Sequence, residues 1–209
     1  MVLHWSPRSP FVRKVMVAAH ERGIADAFTC RRSVAVTTAP DAVLMAANPL
    51  NKIPVMERDD GPPLLDSRTI CEFLDGIGDA PPLHPQGPAR WLALRRQALA
   101  DGLCDLAILW RGECRRDAPS APHVVAYAVK TRATLDRFDA EASDPAVGAL
   151  DIGDIALGCA LSYLDFRFAD LAWREGRERL ARWQAAIESR TSMQATAIVD
   201  DEANPMAPV

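Results

Sequence analysis

The spacing of apolar and polar residues divides the chain into two parts of different kind. In the first third, short apolar runs that suit strands alternate with segments whose apolar residues recur every three or four positions, as in helices. This pattern predicts an α/β region with the order β-α-β-α-β-β-α. Its members are strands at 2–5 and 28–36, a helix at 10–22 closed by Gly23, a short helix or loop at 40–47, a strand through Pro54, a brief strand at 64–65, and a helix from Ser67.

From residue 89 onward the apolar spacing is helical. It predicts helices at 89–116 and 122–140, another from Asp151, and a last one at 176–189. A stretch rich in proline and glycine at 76–88 breaks all periodicity and is typical of a linker. We therefore expect an α/β domain at 1–78, a linker at 79–87 and an all-helical domain at 88–209, with a loose tail after Val199.

The helix start at Asp151 is unusually well specified. Asp151 suits the N-cap, and Asp154 in the first turn is favoured by the helix dipole. Leu150 and Ile155 have the spacing of a hydrophobic staple across the cap. We interpret this segment as a folding device and not as a functional site.

The composition is that of a globular protein and argues against several classes. The chain has 209 residues, of which 49% are hydrophobic and 25% charged, and a formal net charge of -4 gives no basic excess for nucleic acid. No apolar run approaches the roughly 18 residues of a membrane span, and no signal peptide is evident, so we expect a cytoplasmic protein without membrane contact. Five cysteines without a CxxC pair indicate neither a disulfide framework nor a metal site.

Pro54 lies between Ile53 and Val55, in an apolar run that otherwise suits a strand. Proline cannot donate a hydrogen bond to a sheet ladder, so it belongs at an edge, a bulge or a special turn. The strand therefore has a free edge near Ile53. Such an edge can pair with the main chain of an extended peptide.

Asp66 and Ser67 precede a helical pattern formed by Ile70, Phe73 and Leu74. They mark a helix N-terminus, where free backbone N–H groups and the helix dipole favour a bound carboxylate. The same pair can also serve only as a cap for its own helix. Beside the Pro54 run, we interpret it as a second binding device.

Four motifs, by their order and spacing, resemble the cytosolic glutathione S-transferase family, in its bacterial, serine-type form. They are SPFVRKV from Ser9, NPLNKIPV from Asn48, DSRTICEFLD from Asp66 and ALDIGDIALG from Ala149. The resemblance covers nearly the whole chain. It implies a thioredoxin-like N-terminal domain with a cis-Pro54, an all-helical C-terminal domain, and a homodimer. It also implies that glutathione is the co-substrate, activated as a thiolate for attack on a small hydrophobic electrophile.

The resemblance assigns glutathione to Lys52, Ile53, Pro54, Asp66 and Ser67. It implies that the tripeptide lies across Pro54, with its cysteinyl part paired to the backbone of Ile53. Asp66 and Ser67 would hold the γ-glutamyl amine and carboxylate. Lys52 would approach the glycyl end.

The chain departs from the family pattern at Asn51, where glycine is usual in the similar motif NPLGKIP. A tight turn at this point calls for a positive φ angle. Asparagine tolerates positive φ better than most residues. We therefore expect the turn to be kept.

Ser9 precedes Pro10, which suits the first turn of a helix, so Ser9 is a candidate N-cap. The resemblance adds a second role, because Ser9 matches the position of the catalytic serine or cysteine in related classes. A free cysteine thiol has a pKa of about 8.5. A serine donor and a helix N-terminus together would lower it by about one to two units. Ser6, also followed by proline, is the alternative activating residue.

The resemblance places the electrophile between the two domains, against the long helix near residues 103–113. Trp110 either lines that pocket or belongs to the core or a dimer contact. Arg111 and Glu113 either contact the ligand or form an internal ion pair. An apolar face on the same helix from Trp91 suits a homodimer.

Two other functions stay open at this point. One is a glutathione-dependent isomerase or dehalogenase, and the other is a noncatalytic interaction or stress-regulatory module of the same build. The motifs of zinc hydrolases, nucleotide-binding proteins and serine hydrolases, which are HExxH, GxGxxG, the Walker sequence and GxSxG, do not occur.

Overall fold

The computed structural model describes residues 1–142 and 150–201. The N-terminal part holds strands β1 (Val2–Trp5), β2 (Thr29–Arg32) and β3 (Val55–Glu57) with helices α1 (Pro10–Glu21), α2 (Ala42–Ala47) and α3 (Ser67–Ile77). The C-terminal part holds α4 (Pro88–Cys114), α5 (Ala121–Glu141), α6 (Ile152–Arg167), α7 (Glu178–Glu188) and α8 (Thr191–Ala195). A mixed α/β region followed by a helical region confirms the predicted fold class.

The sheet has the order β2-β1-β3, with β1 parallel to β2 and antiparallel to β3. The brief strand expected at 64–65 is a single bridge, in which Leu64 and Met56 exchange both backbone hydrogen bonds. Two prolines precede Leu64 and a helix begins at Ser67, so no room is left for a longer ladder. Gly23 closes α1 with a φ of 71°, in agreement with its predicted position after the helix.

The two parts meet through α1, which packs against both α3 and α6. The main helical contact is between α4 and α6. Gly153, at the start of α6, allows this contact, since a Cβ there would lie 2.6 Å from the Ala93 carbonyl oxygen. Shared burial of these helices joins both parts in one core.

The predicted folding device at Asp151 is confirmed. Asp151 accepts from the backbone N–H of Asp154 at 2.9 Å, and Asp154 accepts from that of Asp151 at 3.1 Å, which is a reciprocal capping box. Leu150 and Ile155 are both buried. Ala149, the first residue of the ALDIGDIALG motif, lies outside the described residues.

The expectation of a loose tail after Val199 is wrong for its first two residues. Asp201 lies 2.8 Å from the Arg8 guanidinium and 2.6 Å from that of Arg32, and Asp200 lies 3.6 Å from that of Arg167. Arginines from the loop before α1, from β2 and from α6 thus hold these two carboxylates. Residues 202–209 lie outside the described part of the chain.

Within residues 1–142 and 150–201, no helix combines the length and the apolar character needed to cross a membrane.

Candidate active site

Ser9 forms the N-cap of α1. Its Oγ accepts a hydrogen bond from the Val12 N–H at 3.3 Å. Within the described residues this is the single hydrogen bond of the Ser9 hydroxyl, so its proton is free for an acceptor beyond the helix. Ser9 is half-buried at the helix N-terminus, where the dipole favours an anion. The arrangement can therefore donate to a thiolate without giving up the cap.

Ser6 is the alternative, and its setting differs. It is buried, with 7% of its surface exposed, and its Oγ accepts from the Arg8 N–H at 3.4 Å. It lies three residues before the N-cap and gains less from the helix dipole than Ser9. The geometry therefore favours Ser9 as the residue that meets a ligand.

The main chain at Ile53 is available to a ligand. The Ile53–Pro54 peptide bond is cis, and β3 begins only at Val55, one residue after the proline. The predicted strand through Pro54 therefore starts later than expected. Within the described residues, the Ile53 N–H and C=O take no part in a backbone hydrogen bond. Pro54 itself is buried, which fixes the turn in place.

Asn51 keeps the turn that precedes Ile53, as its tolerance of positive φ predicts, with a φ of 51°. Its side chain also makes hydrogen bonds, which glycine could not do. Oδ1 accepts from the Asp41 N–H at 3.0 Å, and Nδ2 donates to the Val36 carbonyl at 3.1 Å. These bonds tie the turn to the segment before α2.

Asp66 and Ser67 lie at the start of α3, as the sequence indicates. Asp66 is the N-cap and accepts from the Arg68 N–H at 2.7 Å. Ser67 is 3% exposed, yet among the described residues its hydroxyl has no hydrogen-bond partner. A hydroxyl without a protein partner beside free helix N–H groups is suited to an anionic ligand group. The capping role thus falls to Asp66, and Ser67 is left for another purpose.

A buried ion pair on α4, which the sequence did not reveal, supports both helix starts. Asp101 accepts from Lys14 of α1 at 2.7 Å and from Arg68 of α3 at 2.7 Å. Lys14 and Asp101 are both almost fully buried, whereas the Arg68 side chain is half exposed. Asp101 is 87 residues from Lys14 and 33 from Arg68, so no local pattern points to the contact. The pair fixes α1 and α3 relative to α4.

Asp105, one turn further along α4, adds negative charge beside the predicted ligand residues. The side chain as a whole is exposed, and the partial burial of its carboxyl raises the pKa of that group. The nearby Lys52 acts in the opposite direction, and the carboxylates of Asp101 and Asp66 raise the pKa further. Lys52 and Asp66, 14 positions apart, thus come within electrostatic reach of the same side chain. Asp105 is a second residue that reading the sequence missed.

A separate pocket of about 300 Å³ lies at the far end of α4. It is lined by Arg111, Cys114, Arg115, Phe166, Arg167 and Phe168. Trp110 is almost buried and stacks on Phe168 at 4.7 Å between ring centroids, so it supports the wall from behind. Glu113 is not part of the lining, because its carboxylate accepts from the Ser120 N–H at 2.7 Å and faces Arg116.

Tyr163 of α6 lies close to this pocket. Burial raises the pKa of its hydroxyl, although the Arg111 and Arg167 guanidiniums act against that shift. Tyr163 therefore stays protonated at neutral pH and is a donor. Among the described residues, no group of three or more His, Cys, Asp or Glu side chains has an arrangement that would hold a metal ion.

Comparison with known proteins gives matches over most of the chain. The N-terminal domain of glutathione S-transferases matches residues 8–77, and the C-terminal domain of the same family matches residues 118–186. The uncharacterized GST-like protein YibF of Escherichia coli K12 is 30% identical over 204 residues. That alignment covers 94% of this chain and 98% of YibF.

Two solved structures of a glutathione transferase family member from Pseudomonas fluorescens Pf-5 are also similar. One, with bound glutathione, is 41% identical with a TM-score of 0.90, over 95% of this chain and 98% of that one. The other, with bound S-(propanoic acid)-glutathione, is 39% identical with a TM-score of 0.85, over 95% and 100%. The fold and the sequence therefore agree on one family.

Proposed function

This chain belongs to the glutathione S-transferase family, and from that premise we propose that it binds glutathione and activates its thiol for attack on a small electrophile. One observation carries the proposal. The Ser67 hydroxyl, which has no partner among the described residues, lies at the N-terminus of α3, and the main chain of Ile53, unpaired in the same part of the chain, precedes the cis-Pro54 turn. Together they provide groups that an extended γ-glutamyl peptide needs.

Each end of the tripeptide is matched by a separate group. The Ser67 hydroxyl and the N–H groups at the start of α3 would bind the γ-glutamyl carboxylate, while Asp66 with Asp105 would face its amine. The Ile53 N–H and C=O would pair with the cysteinyl main chain. Lys52, exposed beside that turn, would approach the glycyl carboxylate.

The sulfur would lie at Ser9. The Ser9 Oγ–H donates to the thiolate, and the α1 dipole adds to this stabilisation of the anion. The thiol proton leaves to solvent, and the sulfur lone pair then forms a carbon–sulfur bond to the electrophile. The displaced electron pair departs with a leaving group or moves into a conjugated acceptor. The relative that holds S-(propanoic acid)-glutathione, a glutathione with a carbon substituent on sulfur, supports this reaction type.

Retention on immobilised glutathione tests the proposal. We expect the protein to bind the resin and to elute with free glutathione, and we expect a panel of aryl halides, epoxides, peroxides and maleyl compounds to include a substrate. Ser67→Ala should be retained poorly, whereas Thr69→Ala, an exposed change in the same helix turn, should behave as the parent does. No retention together with no thermal shift by glutathione would favour the noncatalytic interaction module.

Glutathione binding with turnover of maleyl or haloalkyl compounds, but without stable conjugates, would instead favour the isomerase or dehalogenase.

We also propose that the protein is a homodimer. Apolar side chains more than half exposed along α4 and α5 include Trp91, Leu92, Leu109, Val125 and Val129. Exposed apolar side chains on neighbouring helices are typical of a surface that binds a protein partner. Size-exclusion chromatography with light scattering should give a mass near twice that of the chain, and a monomer at micromolar concentration would contradict the proposal.

A further inference from the structure

Asp201, the last residue that the structure describes, behaves as an interior residue although Val199 and Asp200 before it are exposed. Its side chain is 8% exposed, and its two oxygens have different partners. Oδ1 lies 2.8 Å from Nε of Arg8, and Oδ2 accepts from Nε and Nη2 of Arg32 at 2.8 and 2.6 Å. Two guanidiniums therefore hold one carboxylate that is almost out of water, and such a carboxylate is costly to leave unpaired.

The two arginines flank the segment that leads from β1 to α1. Arg32 is the last residue of β2 and lies beside Trp5, its partner in the sheet register and the last residue of β1. Arg8 is the residue immediately before Ser9, the N-cap of α1. The segment thus leaves the sheet beside one arginine and enters the helix next to the other. Asp201 connects its two ends.

Inside this segment the hydrogen bonds are long. The Ser9 N–H donates to the Ser6 carbonyl at 3.2 Å, and the Arg8 N–H donates to the Ser6 Oγ at 3.4 Å. Both exceed the usual N–H···O distance of about 2.9–3.0 Å, and both join residues of the turn itself. The pair of Arg8 with Asp201 is different in kind, because it attaches the turn to the far end of the described chain.

Arg32 provides the rigid side of this attachment. Its Nη1 donates to the Ser33 carbonyl at 2.7 Å, while Nε and Nη2 converge on the same oxygen of Asp201. The side chains of Arg32 and Arg8 are 10% and 17% exposed, so solvent screens these pairs far less than a surface ion pair. The carboxylate therefore has a fixed place beside β2, and it restrains Arg8 from there.

We propose that Asp201 is a positioning residue for thiol activation: it holds Arg8 against β2, and thereby sets the place of the Ser9 hydroxyl relative to the glutathione sulfur. The proposal rests on the glutathione transferase function proposed above and adds the C-terminal segment to its machinery. Asp201 acts through Arg8 and not by contact with the sulfur. A displacement of about 1 Å at an activating donor is enough to weaken catalysis strongly.

A different role for the same carboxylate predicts the opposite sign. If Asp201 served only as a counter-charge, it would reduce the positive potential of the two arginines near Ser9, and its loss would lower the thiol pKa. If it positions Ser9, its loss lets the donor move away from the sulfur, and the thiol pKa rises toward the roughly 8.5 of free cysteine. The direction of the pKa change therefore separates the two roles.

Thiolate absorbance of the glutathione complex against pH measures this change in Asp201→Asn, which keeps the shape of the side chain but not its charge. We expect the thiol pKa to rise by about one unit, and kcat/KM for an electrophile that the parent turns over to fall about tenfold below pH 7. The deficit should fade at high pH, where the thiol ionises unaided. Asp201→Glu, which keeps the charge, should lie between the parent and Asp201→Asn.

Glu21→Gln is the matched control, because it removes an acidic partner of an arginine at the other end of α1. The Glu21 carboxylate accepts from Arg190 at 2.9 and 2.7 Å, and its side chain is 14% exposed. This variant should lose stability in urea as Asp201→Asn does, yet keep the parent's thiol pKa. In an Arg8→Gln background, Asp201→Asn should have no further effect on the thiol pKa, because its route to Ser9 is already broken.

An unchanged thiol pKa in Asp201→Asn would reduce Asp201 to a structural role, and a lowered one would make it a counter-charge; either result overturns the inference. An equal rise in Glu21→Gln overturns it too. If Asp201→Asn does not fold, Asp201→Glu decides, since a thiol pKa equal to the parent's contradicts positioning. These outcomes leave the proposed function intact as long as the parent binds glutathione with a lowered thiol pKa. If the parent lacks that property, both proposals fail.

Discussion

Two regions of the molecule, a proposed glutathione half and a pocket half at the end of α4, use opposite ends of helices. The proposed glutathione half is built on the N-termini of α1 and α3, where Ser9 and Ser67 lie among free backbone N–H groups. The pocket half is built on the C-termini of α4 and α6, where Arg111 and Arg167 extend from the last turns. A helix N-terminus attracts an anion through its backbone, whereas a C-terminus repels one unless cationic side chains are added.

The two regions differ in which part of the chain sets the local charge. In the glutathione half the backbone carries it, and a few small residues at the caps suffice. In the pocket half the side chains set it, so a single substitution can change the charge of the lining.

The largest effect should come from breaking the contact that holds the glutathione half to α4. Asp101→Ala leaves the buried Lys14 without its carboxylate, and an unpaired buried charge typically costs about 3–5 kcal/mol. Urea denaturation followed by circular dichroism should show that loss. Arg68→Ala removes the other, half-exposed partner and should cost less than about 1 kcal/mol. Equal costs for the two variants would show that Asp101 does not hold the helices together.

The next largest effect is on the affinity for glutathione, with no change in stability, and is expected for Ser67→Ala. Ser67→Ala should raise the Kd for glutathione by roughly 10- to 100-fold, because a hydrogen bond to a charged group is lost. The free energy of unfolding should stay nearly constant, since Asp66 and not Ser67 caps α3. Calorimetry and urea denaturation measure the two quantities. A loss of stability with unchanged affinity would return Ser67 to a purely structural role.

Those features of the fold and the candidate site that depend on neighbouring residues could be predicted from the sequence, whereas contacts between distant residues could not. The Pro54 turn, the helix start at Ser67 and the N-cap at Asp151 depend on neighbouring residues and were predicted. Asp101 and Arg167 act through partners far along the chain, and the spacing of apolar residues holds no information about them. The Asp201 contacts were not predicted for the same reason, since a polar tail gives no local indication of its partners.

The smallest effect is expected for Asp105→Asn, which should increase stability and weaken the binding of glutathione. Burial raises the pKa of Asp105, so the folded state disfavours its ionised form. The ionised side chain therefore costs stability once the pH rises above the unfolded pKa of about 3.9. Asp105→Asn should raise Tm slightly at pH 7, and the gain should fade as the pH approaches 4. If Asp105 faces the γ-glutamyl amine, the same variant should bind glutathione several-fold more weakly.

A lower Tm at pH 7 for Asp105→Asn would mean that its attraction to Lys52 outweighs the burial. Unchanged glutathione affinity would remove Asp105 from the binding site.

The pKa of the bound glutathione thiol, followed by thiolate absorbance against pH, tests the central claim most directly. We predict a pKa about one to two units below the 8.5 of a free thiol. Ser9→Ala should return it toward that value, and Ser6→Ala should leave it lowered. A bound thiol that titrates like the free one, or a lowered value that persists in Ser9→Ala, would contradict the claim that Ser9 at the α1 N-terminus activates the sulfur.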